Sequence, residues 1–427
     1  MCRQNRAVSN TEVLSLFPET AASLGGRLSI GGVAASELAA TYGTPLLVYD
    51  EATIRSSARA YRAAAPNVHI HFGSKAFPNV EVLRILREEG IGADVASLGE
   101  LAFAQRAGYT GAEIVVHGNN KSDAELAAAA AVGALVAIDS LEELDRAKAA
   151  GIERGILRIT PGIDADTHEA IRTAHHGSKF GVPPEVALDA IRHAPWLEGL
   201  HTHIGSQLFD AGAALMTADW IAAFAARART ETGWTPKTID IGGGLGVATA
   251  PEDPRPSIHD FAGQVAAELE RAWAEHGLPP VAVMMEPGRS LVGRAGVTLY
   301  SVGTVKQAAD GTTYVAVDGG MSDNPRRALY QARYTAVLAD RVDDETVGRF
   351  TVAGKHCESG DVLIDRVELP EPHRGDVLAV PATGAYTLSM ASNYNALLRP
   401  AAVLVADGHA RLIRRRETLD DLFALES

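Results

Sequence analysis

The segment KHCESGD, residues 355–361, contains the residue types of a reactive thiol. Cys357 stands between His356 and Glu358 and is one of two cysteines in the 427-residue chain. A thiol in this setting can act as a nucleophile, a metal ligand or a proton donor, or it can simply pack in a core. The segment by itself leaves all four roles open.

Further reactive residues follow short runs rich in Val and Ile. Lys75 and His117 each come directly after such a run, and Asp94 lies within one. A lysine that is partly desolvated has a lowered pKa and can form a Schiff base, although a lone lysine is more often a surface residue. His201 and His203 are two positions apart on a predicted strand, so they point to opposite faces, with His203 toward the strand end.

Two glycine-containing loops have the properties of an anion site. Gly242, Gly243 and Gly244 follow one apolar run, and Gly288 follows another. Glycines let an anion approach backbone N–H groups, although tight turns are the simpler explanation of each loop alone. The dinucleotide pattern G-x-G-x-x-G is broken at Val247, which argues against such a cofactor.

Glu286 and Arg289 belong to the second of these loops, EPGR. The carboxylate could bind a metal, act as a base, or pair with a protonated heterocyclic nitrogen. The arginine could be its ion-pair partner or an anion receptor. A metal-dependent hydrolase that uses His117, His201 and His203 is therefore an alternative at this point.

The elements that carry these residues alternate between strand and helix patterns. Each apolar run is followed by a stretch with i, i+3, i+4 spacing. Eight such units predict a (β/α)8 TIM barrel over residues 46–295, and an open doubly wound sheet is the alternative. The predicted strands are 68–73, 92–96, 113–118, 135–139, 155–162, 197–206, 238–244 and 281–288. Ser122 and Glu125 have capping-box spacing, and Gly133 is expected to separate a helix from a strand.

The pattern changes after about residue 295. Asp-Gly and Gly-Asp pairs separate Val-rich runs, which predicts an antiparallel β domain over residues 296–427. Residues 1–45 lack the barrel periodicity and are expected to join this β domain as an N-terminal segment. The run GTPLLVYD is predicted to be one strand that pairs with it.

Composition limits the classes of function. The chain is 46% hydrophobic and 22% charged, with a net charge of −14, which fits an enzyme and argues against nucleic-acid or membrane surfaces. The longest apolar run, 126–138, is shorter than the ~20 residues of a spanning helix. The N-terminus has no signal-peptide pattern and the cysteines suggest no disulfide framework, so we expect a cytoplasmic protein.

Taken in order, the motifs resemble one family. The chain is similar to the fold-type III decarboxylases that use pyridoxal 5′-phosphate (PLP), and to their diaminopimelate branch more than to ornithine or arginine decarboxylases. The resemblance runs from about residue 45 to the C-terminus and implies an alanine-racemase-like barrel with a β domain. Its motifs are FGSKAF, GADVASLGEL, HGNNKS, RITPGIDADTHEAIRTAHHGSKFG, GLHTHIGSQLFD, DIGGGLG, EPGRSLV, DGGMSDNPRRALY, GKHCESGD and GAYTLSMASNYN.

The resemblance implies a role for each barrel residue. Lys75 would carry PLP covalently, Glu286 would pair with its ring nitrogen, and His203 would stack on the ring and take part in catalysis. Cys357 would return a proton after CO₂ leaves. The other cofactor contacts implied are Asp94, Ser206, Gly243, Gly244, Gly288, Arg289 and Tyr386.

The implied substrate is meso-diaminopimelate, which would be converted to L-lysine in the last step of lysine biosynthesis. Two arginines suit its distal carboxylate and one glutamate suits its distal ammonium, whereas ornithine would leave the arginines unpaired. The resemblance also implies a homodimer with shared active sites and no metal. A related PLP enzyme acting on another amino acid, possibly carrier-bound, is the alternative, and a non-catalytic relative is a further one. The substrate contacts implied are Arg289, Arg326, Tyr330, Glu358 and Tyr386.

Overall fold

The computed structural model describes residues 10–162 and 178–426. Cys2 and the middle of the motif RITPGIDADTHEAIRTAHHGSKFG lie outside these ranges. The chain divides into two compact units, which are treated separately below. The barrel unit comprises Arg55–Gly246 and Arg255–Leu291, and the β unit comprises Met1–Ile54, Val247–Pro254 and Val292–Ser427.

The strands in the described ranges are β1 (Ala22–Leu24), β2 (Arg27–Ile30), β3 (Val33–Ala34), β4 (Leu46–Asp50), β5 (Val68–Gly73), β6 (Gly92–Val95), β7 (Ile114–Val116), β8 (Leu135–Ile138), β9 (Gly155–Arg158), β10 (Leu197–His201), β11 (Thr238–Asp240), β12 (Ala282–Met285), β13 (Gly296–Gln307), β14 (Thr313–Val317), β15 (Val337–Leu338), β16 (Gly348–Ala353), β17 (Val362–Leu369), β18 (Val377–Val380), β19 (Ala401–Ala406) and β20 (His409–Arg414).

The helices in the same ranges are α1 (Asn10–Leu14), α2 (Ala35–Tyr42), α3 (Glu51–Ala64), α4 (Val80–Glu88), α5 (Leu98–Arg106), α6 (Asp123–Val132), α7 (Leu141–Ala149), α8 (Pro184–His193), α9 (Gly212–Thr232), α10 (Ile258–Glu275), α11 (Arg289–Val292), α12 (Arg326–Tyr330) and α13 (Leu419–Phe423). None of the helices described is both long enough and apolar enough to cross a membrane.

Strands β5 to β12 form a closed parallel barrel, which confirms the predicted fold class and excludes the open sheet. The barrel closes where β12 pairs with β5, at Met284 and His69. Strand β5 ends at Gly73 as predicted, whereas the other seven barrel strands end earlier than predicted at their carboxyl ends. Gly242, with φ +68°, shows the reason after β11: the backbone leaves the ladder there and turns into the mouth of the barrel.

The capping residues predicted from the sequence cap a helix in the structure. Ser122 and Glu125 form a reciprocal capping box at the start of α6. Gly133 ends that helix in the left-handed conformation, so the long alanine-rich run is divided into α6 and β8 as predicted.

The β unit is built on one large sheet in the order β17-β16-β14-β13-β4-β19-β20, with β15 and β18 attached. Strand β4, from GTPLLVYD, pairs with β13 and β19, as predicted. Asp407 and Gly408 both have positive φ and join β19 to β20 in a tight hairpin. The sheet is not purely antiparallel, because β14 pairs with β16 in parallel after a long connection, and β4 pairs with β19 in parallel.

One buried ion pair ties the barrel strands to the helical layer. The Lys121 ammonium donates to the carbonyl oxygens of Gly118 and Ala137 at 2.8 and 2.5 Å, and to Glu143 Oε1 at 2.6 Å. Both side chains of the pair are almost fully excluded from solvent. The pair joins the loop before α6 to β8 and α7.

We predict that Lys121→Met destabilises the protein by about 3–5 kcal/mol, because it leaves the Glu143 carboxylate buried without its cation. The double variant Lys121→Met/Glu143→Leu should recover most of that loss, since it removes both charges. Urea unfolding followed by circular dichroism measures the difference. The control is Arg227→Met, which breaks exposed ion pairs with Glu185 and Glu231 and should leave stability nearly unchanged, because solvent screens such pairs. A double variant as unstable as the single one would contradict the prediction.

Candidate active site

Lys75 lies at the mouth of the barrel, in the turn Ser74–Ala76 directly after β5. Its Nζ is 3.8 Å from Asp94 Oδ2, and the lysine side chain is 53% exposed whereas the aspartate is buried. The Ser74 hydroxyl donates to the Asp94 carbonyl oxygen at 2.7 Å and fixes the turn against β6. Burial and the nearby Glu286 charge raise the pKa of Asp94 to about 6, although Lys75 and His117 act in the opposite direction. An accessible amine therefore lies beside a buried acid.

Glu286 follows β12 and is buried in the barrel between two histidines. His117 Nε2 is hydrogen-bonded to its Oε1, and His201 Nε2 lies 3.4 Å from its Oε2. Burial opposes ionisation of the carboxyl group, but the two histidines outweigh it and hold the pKa of Glu286 well below its usual range. The barrel interior thus contains a fixed carboxylate, the group that keeps a heterocyclic nitrogen protonated.

Asp240, at the end of β11, has a pKa shifted in the opposite direction from that of Glu286. Burial and the neighbouring Glu286 charge raise the pKa of Asp240 well above its usual range. Its Oδ1 accepts the Gly242 N–H at 2.8 Å. The pKa values of the two adjacent carboxyl groups are therefore shifted in opposite directions, toward the neutral form for Asp240 and toward the ionised form for Glu286.

Four side chains meet at this point. The candidate ligand atoms of His117, His201, Asp240 and Glu286 all lie within 4.8 Å of one another, and all four residues are buried. The metal alternative raised from the sequence named His117, His201 and His203, but His203 does not belong to this group. The two carboxyl groups take its place.

His203 is held by the glycine loop after β11. The Gly243 N–H donates to its Nδ1 at 3.2 Å, and burial lowers the pKa of His203 well below the usual value, so the imidazole is neutral. The loop has no room for side chains. A Cβ on Gly242 would lie 2.5 Å from His203 Nδ1, and one on Gly243 would lie 2.2 Å from the Glu286 carbonyl oxygen.

Ser206 and Arg289 are joined within the barrel unit. Arg289 is buried at the start of α11, and its Nη2 donates to Ser206 Oγ at 3.3 Å. The Gly73 N–H donates to the Pro287 carbonyl oxygen at 3.1 Å, which brings the Lys75 turn beside Gly288. The ends of β5, β10, β11 and β12 thus converge on one side of the barrel.

Three of the expected substrate contacts lie together in the β unit. Arg326 is buried at the start of α12, and its guanidinium carbon is 5.6 Å from the Tyr330 ring centroid and 6.0 Å from that of Tyr386. Tyr386 adopts φ +57°, which is unusual for a tyrosine. The two rings hold the guanidinium by cation–π contact.

Cys357 and Glu358 lie in the loop between β16 and β17. The thiol of Cys357 is free and the residue is exposed. Its N–H donates to Asn395 Oδ1 at 3.2 Å, and the Tyr394 hydroxyl is hydrogen-bonded to Glu358. Tyr394 and Asn395 were not predicted as site residues, although both belong to the motif GAYTLSMASNYN.

Two strand-end residues were not predicted from the sequence, and a third was considered in a single role. Asp240 ends β11 and Arg158 ends β9, while His117, after β7, was considered only for a metal. Arg158 is buried, with Nε 3.8 Å from Asp139 Oδ1 and its guanidinium carbon 4.4 Å from the Phe180 ring centroid. His117 directly follows its apolar run, whereas Arg158 and Asp240 fall inside the predicted strands 155–162 and 238–244. Their position at strand ends is therefore visible only in the structure.

Comparison with known proteins gives a consistent result. The family model described as "Pyridoxal-dependent decarboxylase, pyridoxal binding domain" matches residues 51–293. A diaminopimelate decarboxylase of Halalkalibacterium halodurans is 42% identical, over 94% of this chain and 95% of that protein. One from Mycobacterium tuberculosis is 43% identical, again over 94% and 95%. The crystal structure of diaminopimelate decarboxylase from M. jannaschii in complex with L-lysine has a TM-score of 0.90 at 32% identity, covering 96% of this chain and 98% of that one.

A closed parallel barrel with a lysine at its mouth and a fixed carboxylate inside defines the class of barrel enzymes that bind PLP. The residues fit this cofactor, since the exposed Lys75 amine lies beside the buried Asp94 and the pKa of Glu286 is held below its usual range. The chain belongs to the family of pyridoxal-dependent decarboxylases, and the predicted cofactor and enzyme class are confirmed.

Substitutions of the two carboxyl groups, Asp240 and Glu286, should differ in their effect on PLP binding. Asp240→Asn should change the dissociation constant of PLP by less than about threefold, because the amide keeps the acceptor for Gly242 and the raised pKa of Asp240 already disfavours its charged form. Glu286→Gln should weaken PLP binding by about 100-fold or more, because it removes the carboxylate that would favour a protonated ring. Absorbance titration of each apoenzyme with PLP measures both constants. Equal losses in the two variants would contradict the opposite pKa shifts of the two carboxyl groups.

Proposed function

We propose that the protein is a diaminopimelate decarboxylase, which converts meso-2,6-diaminopimelate to L-lysine and CO₂ in the last step of lysine biosynthesis. The similarity to curated diaminopimelate decarboxylases extends over 94% of the chain and includes both units. The structural observation that carries the substrate assignment is the buried Arg326 guanidinium, fixed between two tyrosine rings. A fixed cation with a forked set of donors is suited to a carboxylate.

In this proposal the barrel residues bind the cofactor. Lys75 would be its covalent attachment point, the Glu286 carboxylate would pair with the ring nitrogen, and neutral His203 would stack on the ring. Bound PLP supplies an electron sink for the carbon that loses CO₂. Because Glu286 is already ionised and held by two histidines, it does not need to reorganise when the ring is protonated. The remaining contacts proposed are Asp94, Ser206, Gly243, Gly244, Gly288, Arg289 and Tyr386.

The substrate end of the site is proposed to be a charge clamp. Arg326 and Arg289 bind the distal carboxylate, Glu358 binds the distal ammonium, and Tyr330 and Tyr386 line the site. An amino acid that lacks the distal carboxylate would leave two buried guanidinium groups without an anion, which is costly in a closed site.

Cys357 is proposed to be the proton donor. When CO₂ leaves, the C–C bond electrons stay with the substrate, and a proton must then be added at that same carbon. A thiol is largely protonated at neutral pH yet acidic enough to give up its proton. Cys357 is free and exposed, as a donor to a bound substrate requires.

We further propose a homodimer in which the segment KHCESGD completes the site of the neighbouring subunit, and a cytoplasmic location. A free exposed thiol is consistent with a reducing compartment. Subcellular fractionation that recovers the activity outside the cytoplasm would contradict the proposed location.

A substrate panel tests the proposed reaction. With PLP present, the protein should release CO₂ and lysine from meso-diaminopimelate. For LL-diaminopimelate, lysine, ornithine, arginine and glutamate, kcat/KM should be lower by about 100-fold or more, because each misplaces or lacks a charge that the clamp binds. Arg326→Met should reduce kcat/KM for meso-diaminopimelate by a similar factor. Preference for another amino acid, with PLP demonstrably bound, would favour the paralogue instead.

Subunit exchange tests the shared sites. Lys75→Ala and Cys357→Ala should each lower activity by about 100-fold or more, since each removes a reacting group. Mixed dimers should regain up to about a quarter of wild-type activity, because one site in half of the dimers contains both native groups. Exchange is verified with tagged subunits. Exchange without regained activity would exclude sites shared in this way.

A further inference from the structure

The loop that carries Cys357 is held by a short chain of hydrogen bonds within the β unit. At its start, Asp361 accepts the His356 N–H at 2.8 Å through Oδ2 and the Met321 N–H at 2.7 Å through Oδ1. Gly354 and Gly320 leave the space for this carboxylate, since a Cβ on either would lie within 2.6 Å of an Asp361 oxygen. The backbone of His356 is therefore fixed.

The side chain of His356 extends this chain of hydrogen bonds and has a defined tautomer. The Ser322 N–H can only donate, and it lies 3.3 Å from Nε2, with the Ser322 hydroxyl 2.8 Å from the same atom. Nε2 is therefore the acceptor, and Nδ1 carries the proton of the neutral ring. That Nδ1–H faces Asn395 Oδ1 at 3.1 Å.

Asn395 Oδ1 thus accepts two hydrogen bonds, one from His356 Nδ1 and one from the Cys357 N–H at 3.2 Å. Both donors fix the amide orientation, because the backbone N–H of Cys357 cannot accept. Asn395 itself has φ +53°, a left-handed conformation that asparagine tolerates better than most residues. A strained backbone in an ordered turn at such a position is a feature of functional sites.

Tyr394 holds the next residue along the same loop. Its hydroxyl is hydrogen-bonded to the Glu358 carboxylate, which raises the pKa of Tyr394. Its ring lies 5.4 Å from the His356 ring, so the tyrosine packs against the imidazole that binds Asn395. Two consecutive residues of one turn, Tyr394 and Asn395, therefore contact two consecutive residues of the loop.

We infer that Asn395 and Tyr394 are positioning residues, Asn395 for the Cys357 proton donor and Tyr394 for the Glu358 ammonium contact. The inference rests on the proposed function, in which Cys357 returns the proton and Glu358 binds the distal ammonium of the substrate. Asn395 acts on proton return and Tyr394 acts on substrate binding. Substitution of Asn395 should therefore lower kcat, whereas substitution of Tyr394 should raise KM.

The test for Asn395 uses the PLP-bound enzyme. Asn395→Gly removes the acceptor without strain at positive φ, whereas Asn395→Asp keeps an acceptor oxygen and tolerates the same backbone. In the glycine variant, amide hydrogen exchange of residues 355–361 should be faster and kcat lower, each by roughly two- to tenfold, with KM nearly unchanged. Turnover in deuterated water should place more deuterium on the wrong face of the product carbon. The aspartate variant should restore kcat and exchange to within about twofold of wild type.

The matched control is Asp407→Gly, which puts glycine at another left-handed residue in the hairpin between β19 and β20. It should leave loop exchange and kcat unchanged. Unchanged exchange in Asn395→Gly, or an equal loss of kcat in Asp407→Gly, would overturn the positioning role. The donor role is tested apart from this, since wild-type turnover by Cys357→Ala would refute it whatever the exchange data show.

The test for Tyr394 is Tyr394→Phe, which should raise KM for meso-diaminopimelate by roughly two- to tenfold and change kcat less than about twofold. Tyr42→Phe is the control, because it deletes a half-buried hydroxyl that donates to the Ala410 carbonyl oxygen in the same unit. A fall in kcat with KM unchanged in Tyr394→Phe would refute its assignment to substrate binding.

Discussion

The ionised Glu286 carboxylate inside the barrel is the constraint on which the cofactor site depends. Burial of a lone carboxylate is costly, and a charge that is not compensated is lost by protonation. His117 and His201 compensate it from two different strand ends, one at each carboxylate oxygen. Their approach requires the barrel to be closed in its observed register, so the fold and the charge of this one residue are linked.

Asp240 shows how the same environment gives two carboxyl groups opposite states. It lies in the same cluster as Glu286, but its hydrogen bond from Gly242 is too weak to offset burial and the neighbouring negative charge. Separation of pKa values between adjacent acids is how sites assign distinct roles to like residues. Because the two pKa values are shifted in opposite directions, the pair favours one negative charge over two.

Much of the barrel could be predicted from the sequence, because Val- and Ile-rich runs alternate with helical periodicity. The strand ends could not be predicted to the residue: Gly242 leaves the ladder because of positive φ, which the apolar pattern does not encode. Lys75 and Glu286 were found because each follows a strand. The pairing of His117 and His201 around Glu286 was not, since it depends on side chains that barrel closure brings together from distant parts of the chain. His201 is buried, and its Nε2 lies 3.4 Å from Glu286 Oε2.

The β unit was harder to predict for a different reason. Its site residues lie in loops and turns, where position is set by single hydrogen bonds and left-handed backbone rather than by sheet register. The hairpin at Asp407 and Gly408 was recognisable, because a two-residue Asp-Gly turn has few alternatives. The turn at Tyr394 and Asn395 has no such local pattern. Its conformation is defined by contacts with a loop nearly forty residues earlier in the chain. The barrel holds its buried charge through several mutually dependent strands, whereas the loop of Cys357 is held by individual hydrogen bonds with Asp361, Asn395 and Tyr394. If Cys357 is the proton donor, substitutions at Asn395 should change proton return without changing the barrel.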